Sequence, residues 1–426
     1  MNSYQSFTVW IFLLGVFMGV YLFFEYLGFS TSRVFSYVLL LMPIWLPLIT
    51  FFLFYETWVN FVRYQFNRKA GRTTLEITLP QEIYKSPVAM ELVINQLFQT
   101  AGIDNHVQAY WDGKHPPVFS LELVSSHGQV RFCINCQPKF RNMIESQLYA
   151  QYPGIMIREL DIDYTAEIPE NGDGYESYAF HYKLKKADAY PIRTYFDYGL
   201  QANPKEEEKI DPLSVTLETL SSLGRGEHMW LQILIKANKG YDFKSGSLKK
   251  TEDWKKDVKK EMEAIIEGAK ARSGEAGGPP QLTEGEKDNL KALERSLSKY
   301  AFNTYVRAIY LAKEENFDGT KIGSMAAIFR ATDDVARNSL GIIWDTNTPW
   351  PWWQDRGGRK TARWKREEIE DYKRRSYTER HRGDTGMILT TEELATLFHL
   401  PGSVVLSPNV QRIGSTRGGA PSNLPI

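Results

Sequence analysis

Two cysteines three residues apart, Cys133 and Cys136 in the run FCINCQP, are the side chains best spaced for redox or zinc chemistry. A four-ligand zinc site needs a second such pair, and neither another CxxC nor an HxxxH occurs among the seven scattered histidines. Val130, Phe132 and Ile134 alternate as a strand. Three residues along a strand is an odd step, so the two thiols point to opposite faces and cannot share an ion. They are expected to be structural thiols, and His115 and His127 to be solvated turn residues. Phosphate-cradling signals are missing too. No GxxxxGK[ST] is present, and the Gly113-Lys114 pair runs into His115-Pro116. Gly224-Arg225-Gly226 and Gly357-Gly358 lack the strand and partner residues of a phosphate loop, and HExxH and GxSxG are absent. Catalytic residues, a cofactor and a metal are therefore not expected.

A second kind of chemistry is electrostatic. Residues 344–353 read WDTNTPWPWW, and 356–382 hold 11 Lys and Arg against 5 acidic residues, a net of +6. Arg359, Lys360, Arg363, Lys365, Arg366, Arg374 and Arg375 are the candidate contacts to an anionic partner. Three partners fit this pattern: nucleic acid, with aromatic stacking nearby; an anionic membrane surface; or an acidic protein. Against these stands a plain solvated helix in which Glu367, Glu368, Glu370 and Asp371 pair with neighbouring cations at helical spacing.

The elements that must position these groups begin at a membrane. The 426 residues carry 51 basic and 51 acidic side chains, which excludes a uniformly cationic nucleic-acid coat, and two cysteines exclude a disulfide-stapled secreted domain. Apolar residues crowd the start of the chain. Residues 7–24 and 34–55 are uncharged runs near the ~20 residues that cross a hydrocarbon core. Residues 25–33 between them are too few for a domain, so the pair reads as a transmembrane hairpin. No Lys or Arg precedes the first run, unlike a cleaved leader. Arg63, Arg68, Lys69 and Arg72 follow the second run, against Arg33 alone in the loop, which puts both termini on the cytoplasmic side. Pro43 and Pro47 predict a kink. Trp10, Trp58, Arg63, Arg68 and Lys69 are the expected membrane-interface residues. Trp58, Val59, Val62 and Phe66 keep a helical spacing that extends the second helix as an amphipathic stalk.

Beyond the hairpin and stalk (1–72) the periodicities predict an α+β fold. In 73–165 the order is β-α-β-β-α-β, a ferredoxin-like unit. Residues 175–345 read as a second one, with 229–235 as a central buried strand and 238–283 as an exposed flexible insertion. Thr283 with Glu286 makes a capping box. The Trp-rich and basic segment occupies 346–385. In 386–426, Thr390 and Glu393 form another capping box, and Leu394, Leu397 and Phe398 form an apolar face. An extended Pro-rich tail follows from Pro401-Gly402 and reads as a connector.

The stretches ILTTEELATLFHLPG (388–402) and RGGAPSNLP (417–425), with QPKFRNMIESQLYAQYPG (137–154) and GRGEHMWLQILIKA (224–237), resemble the N-terminal, non-ATPase half of bacterial membrane proteins related to type IV secretion and conjugation coupling ATPases. In that family such residues lie shortly before a nucleotide-binding domain. The chain holds no Walker sequence, so no ATP-binding residue carries over. The resemblance implies a non-catalytic, multi-pass module in the bacterial cytoplasmic (inner) membrane. It would hold a P-loop ATPase in trans at the cytoplasmic face, as a homo-oligomer, with the lipid bilayer as a further partner and nucleic acid left open. An envelope scaffold unrelated to a motor is the alternative.

Overall fold

The computed structural model describes residues 36–37, 39–80, 85–100, 102–103, 105–201, 210–239, 253–273, 281–346, 355, 357–376, 386–402 and 412–413, with isolated positions 15, 19, 23 and 26. The first apolar run and Trp10 therefore lie outside the described residues, as do most of the Trp-rich run and residues 377–385.

Helix α1 (Met42–Ala70) is, among the described residues, the one helix long and apolar enough to cross a membrane by length and composition. Pro43 stands in its first turn, where the missing N–H costs nothing, and Pro47 lies inside it. Leu46, Leu48, Phe51 and Phe54 are exposed along it, whereas Val59 and Val62 are buried against the rest of the chain. At Gly71 (φ +69°) the helix ends, and the chain turns directly into β1 (Thr73–Pro80).

β1 is followed by α2 (Val88–Gln96), α3 (His106–Tyr110), β2 (Val118–Ser126), β3 (Gln129–Cys136), α4 (Arg141–Gln151) and β4 (Met156–Glu159). These four strands lie antiparallel in the order β4-β1-β3-β2. The next group is β5 (Tyr175–Leu184), α5 (Leu213–Ser221), β6 (Glu227–Ala237), α6 (Lys255–Ser273), α7 (Glu284–Leu297), β7 (Ala301–Lys313), α8 (Thr320–Ala326) and β8 (Leu340–Asp345). Its strands repeat the same pattern, β8-β5-β7-β6. The second strand of each group meets the other. β2 and β6 pair antiparallel from Val118↔Lys236 through Glu122↔Gln232 to Ser126↔His228, so a single large antiparallel sheet runs through both groups.

The remaining elements return to that sheet. They are α9 (Arg359–Lys373), β9 (Met387–Thr390), α10 (Thr391–Leu397) and the two-residue β10 (Arg412–Ile413), which pairs parallel with β1. β9 lies against β7 in line with β5. Every residue of α10 is buried, and the expected capping box of Thr390 and Glu393 starts it. Leu394, Leu397 and Phe398, the expected apolar face, enter the main core, so 386–400 is part of the body.

Strand alternation separates the two faces. Leu121, Leu231 and Val306 look toward the face carrying α2, α4, α5 and α10, where Met90, Ile144, Leu217 and Leu394 meet them. Each such fully buried aliphatic contributes roughly 1.5–3 kcal/mol of transfer free energy. The opposite face holds Val124, Cys133, Trp230 and Ile309 beneath Ile369 and Tyr372 of α9. The described part of the insertion is anchored as well: Trp254 and Val258 close on Ala189 and Leu293.

Candidate functional site

On the α9 side one cross-strand row is mostly polar, with the Cys133 thiol among its members. The register places Arg158, Glu76, Cys133, Glu122, Gln232, Arg307 and His181 side by side on seven successive strands. Residues directly opposite one another in a sheet share a face, so their side chains interact in a line. At its centre Glu122 is wholly buried. Ser120 Oγ and Gln232 Nε2 donate to its Oε1 at 2.6 and 3.0 Å, and Tyr164 OH to its Oε2 at 2.7 Å. Arg375 donates to both oxygens at 3.0 and 3.1 Å and also meets Asp163 at 2.7 Å. Arg307 Nε and Nη2 donate to Gln232 Oε1 at 2.8 and 2.5 Å, and Nη2 also to the Asp371 carbonyl at 2.6 Å. Glu368 sits 3.8 Å from Arg307 and 2.7 Å from His181 Nε2, whose Nδ1 lies 2.7 Å from Tyr305 OH.

α9 thus lies across the strands along this row, with Glu368, the Asp371 backbone and Arg375 each meeting a partner in it. Burial acts to lower the Arg375 pKa, but Glu122, Tyr164 and Asp163 outweigh that and hold it well above the ordinary guanidinium value. Burial and the Glu122 charge together push the Tyr164 hydroxyl well above the usual phenol range, keeping it a donor.

The candidate basic contacts divide accordingly. Arg375 is buried and engaged within the chain, and Lys365 pairs with Glu176 of β5. Lys360 lies 5.4 Å over the Trp364 ring. Arg363 pairs with Glu367 at 2.7 Å and Arg374 with Glu370 at 3.5 Å, the helical spacing expected for a solvated face. Arg359, Arg363, Arg366 and Arg374 are exposed and form the outward cationic side.

At the other end of the molecule the stalk is docked. Trp58 Nε1 donates to the Tyr110 carbonyl at 2.8 Å, and the Trp58 and Trp111 rings lie 5.2 Å apart. Phe66 meets the His115 ring edge-on at 5.5 Å. A Cβ at Gly113 (φ +70°) would stand 2.3 Å from the Val62 carbonyl oxygen, so this close approach requires glycine. Burial, with Arg63 nearby, lowers the His115 pKa to about 4 and keeps the ring neutral, so this turn histidine is not solvated. Of the expected interface residues, Trp58 is half-buried in this joint, and Arg63, Arg68 and Lys69 are exposed around it.

Cys133 and Cys136 are free, buried thiols on opposite faces: Cys133 belongs to the α9-side cluster and Cys136 to the main core. Burial raises both thiols, Cys136 to about 12, so neither is a ready nucleophile. No sequence signal pointed to a cluster at the far end of the β2·β6 seam, where His127, Glu167 and His228 offer ligand atoms within 4.8 Å of one another. They border a cleft of about 700 Å³ with Tyr175, Arg225 and Lys313. Burial and the neighbouring His127 lower His228 to about 4. Gly226 N–H donates to His127 Nδ1 at 2.9 Å, which keeps the neutral ring's proton on Nε2 and denies that nitrogen a lone pair for a metal. Arg131 also approaches Glu167 at 3.8 Å. Long-range pairing of β2 with β6 brings these residues together, and no local spacing signals it.

These features define a mixed α+β protein with a large antiparallel sheet and, among the described residues, one N-terminal apolar helix docked through α3 and the turn after it. A family model described as "Domain of unknown function (DUF8128)" matches residues 105–412, from the turn before α3 to the start of β10, and the chain belongs to this family. No curated protein matches it.

Proposed function

We propose that this chain is a membrane-anchored, non-catalytic module that holds a partner at the cytoplasmic face of the bacterial inner membrane. The partner suggested by the sequence resemblance is a P-loop ATPase of the type IV secretion or conjugation class. The observation that carries the reading is α1, apolar and exposed at Leu46, Leu48, Phe51 and Phe54 yet locked to α3 and the turn after it by the Trp58–Tyr110 bond and the approach of Val62 to Gly113. A helix that is bare at one end and docked at the other has the form of an anchor joined rigidly to a platform. In this reading 7–24 and 34–55 form a transmembrane hairpin with both termini cytoplasmic. The strand orders β4-β1-β3-β2 and β8-β5-β7-β6 support two ferredoxin-like units fused edge to edge. The outward cations of α9 supply the surface for an anionic partner.

The test is crosslinking of the tagged chain in native membranes, detergent extraction and identification of what co-purifies. A P-loop ATPase released by the combined change Arg359→Glu, Arg363→Glu and Arg366→Glu is the expected result. A chain recovered in the membrane without such an ATPase favours the envelope scaffold instead, and a chain absent from the membrane fraction overturns both.

A further inference from the structure

At the base of the stalk the platform bares a compact apolar surface. Val107 is 62% exposed, Trp111 69% and Phe61 52%. Trp111 and Phe61 belong to one cluster, since the Trp58 ring lies 5.2 Å from Trp111 and 6.1 Å from Phe61, and Val107 stands one helical turn before Trp111. The inward side of α3 is committed to the body: Ala109 is buried and the Tyr110 ring meets Tyr55 at 5.8 Å. Val107 and Trp111, four residues apart, share the side that points away. Asn105 caps the helix through its side chain, which accepts from Gln108 N at 2.9 Å, so the orientation is built locally and held.

Depth decides what covers this surface. The uncharged run ends at Tyr55, with Arg33 and Glu56 flanking its two ends. Trp58 lies three residues further, about 4.5 Å along the helix axis. That is within the interfacial layer of roughly 5–10 Å next to the hydrocarbon, where indole rings are enriched. The Trp111 ring, tilted by 50° against Trp58 with centroids 5.2 Å apart, stands close to the same level. Exposed Arg63 follows on the same helix, about 12 Å past Tyr55, near the outer edge of the headgroup layer.

We propose that α3 and Trp111 form a membrane-surface foot, seated with Phe61 and Trp58 among the phospholipid headgroups of the bilayer that α1 crosses. The platform then touches the bilayer at two kinds of site, one crossing it and one lying on it. The foot adds a lateral contact that fixes the azimuth of the sheet about the α1 axis. This inference rests on the reading of α1 as a membrane span and needs a test that separates the two.

The test uses the full chain in phosphatidylcholine–phosphatidylglycerol vesicles with an environment-sensitive fluorophore on a single introduced thiol. Cys133 and Cys136 are buried, so labelling goes to the new site. The sites are Val107→Cys and, separately, Trp111→Cys in the foot, Leu48→Cys in the span, and Arg225→Cys at the far end of the seam. A headgroup nitroxide lipid is expected to quench both foot sites several-fold more than the Arg225 site, and an acyl-chain nitroxide to quench the Leu48 site. Quenching at Leu48 with foot sites matching Arg225 overturns the foot and leaves the span standing. No quenching at Leu48 overturns the span and the foot with it. Foot fluorescence that shifts blue with protein concentration in detergent, without lipid quenching, assigns the surface to a second copy and also overturns the proposal.

Discussion

On one face of the sheet, Leu121, Leu231 and Val306 meet helices α2, α5 and α10; one residue along the same strands, Glu122, Gln232 and Arg307 meet α9. The apolar side is assembled from several helices whose contacts are non-directional and tolerate small shifts. The polar side is built against one helix, and each bond there has a donor, an acceptor and a direction. A half-satisfied buried network is worse than an apolar one, so a slide of α9 by one turn would strand Arg307, Glu122 and Glu368 without partners. The difference teaches that the first face supplies cohesion and the second supplies position, and what it positions is the cationic outer side of α9.

The strongest way to break this contrast is Arg307→Ala, which strips Gln232, the Asp371 carbonyl and Glu368 of their partner at once. A loss of about 3–5 kcal/mol is expected in urea unfolding, with α9 becoming open to proteolysis. Replacing Arg307 and Glu368 together by Met is expected to recover most of that stability, because no buried charge is left alone. A single mutant costing under about 1 kcal/mol would remove the polar row from its positioning role. Next in size is Leu217→Ala on the cohesive face, expected to cost about 2–5 kcal/mol while leaving the protease sensitivity of α9 unchanged below the unfolding transition.

A titration sharpens the comparison further, since the cohesive face contains its own buried acid. Burial raises Glu393 of α10 to about 7, despite the bonds donated by Thr390 and the Ile192 N–H. A folded-state pKa above the unfolded value means the folded chain binds the extra proton. That contribution is full below about pH 4.5 and is lost as pH rises to about 7. His399, raised through its pairing with Asp211 against the opposing effect of burial, acts in the same direction. Stability measured from pH 4.5 to 7 is therefore expected to fall less in Glu393→Gln than in the native chain. The smallest effect belongs to the outer side of α9. Arg366→Ala is expected to change stability by less than about 0.5 kcal/mol. The same change is expected to weaken binding to an anionic partner in a salt-dependent way, read by titration at two ionic strengths.

Features that depend on a few neighbouring residues were legible in the sequence. The two capping boxes, Thr283 with Glu286 and Thr390 with Glu393, follow from a three-residue spacing and are present in both helices. The opposite facing of Cys133 and Cys136 follows from the period of a strand. In α9 the same local logic succeeds for Arg363–Glu367 and Arg374–Glu370 and stops at Glu368 and Arg375. Those two turn inward because Arg307, His181 and Glu122 await them, and these partners lie 61, 187 and 253 positions away in the chain. The pairing of β2 with β6 is equally non-local. Each strand reads only as a buried apolar run, which says that it has neighbours and not which ones.

The register of that seam also sets a length. The Val118↔Lys236 end adjoins the stalk, where Arg72 donates to the Val118 carbonyl at 3.1 Å, and the Ser126↔His228 end carries the histidine cleft. Eight residues of strand separate them, about 27 Å at ~3.4 Å per residue. A β-ladder is far stiffer than a linker of the same length, so the seam acts as a fixed spacer between two terminals. Whatever is held at the cleft keeps a constant stand-off from the base of the stalk.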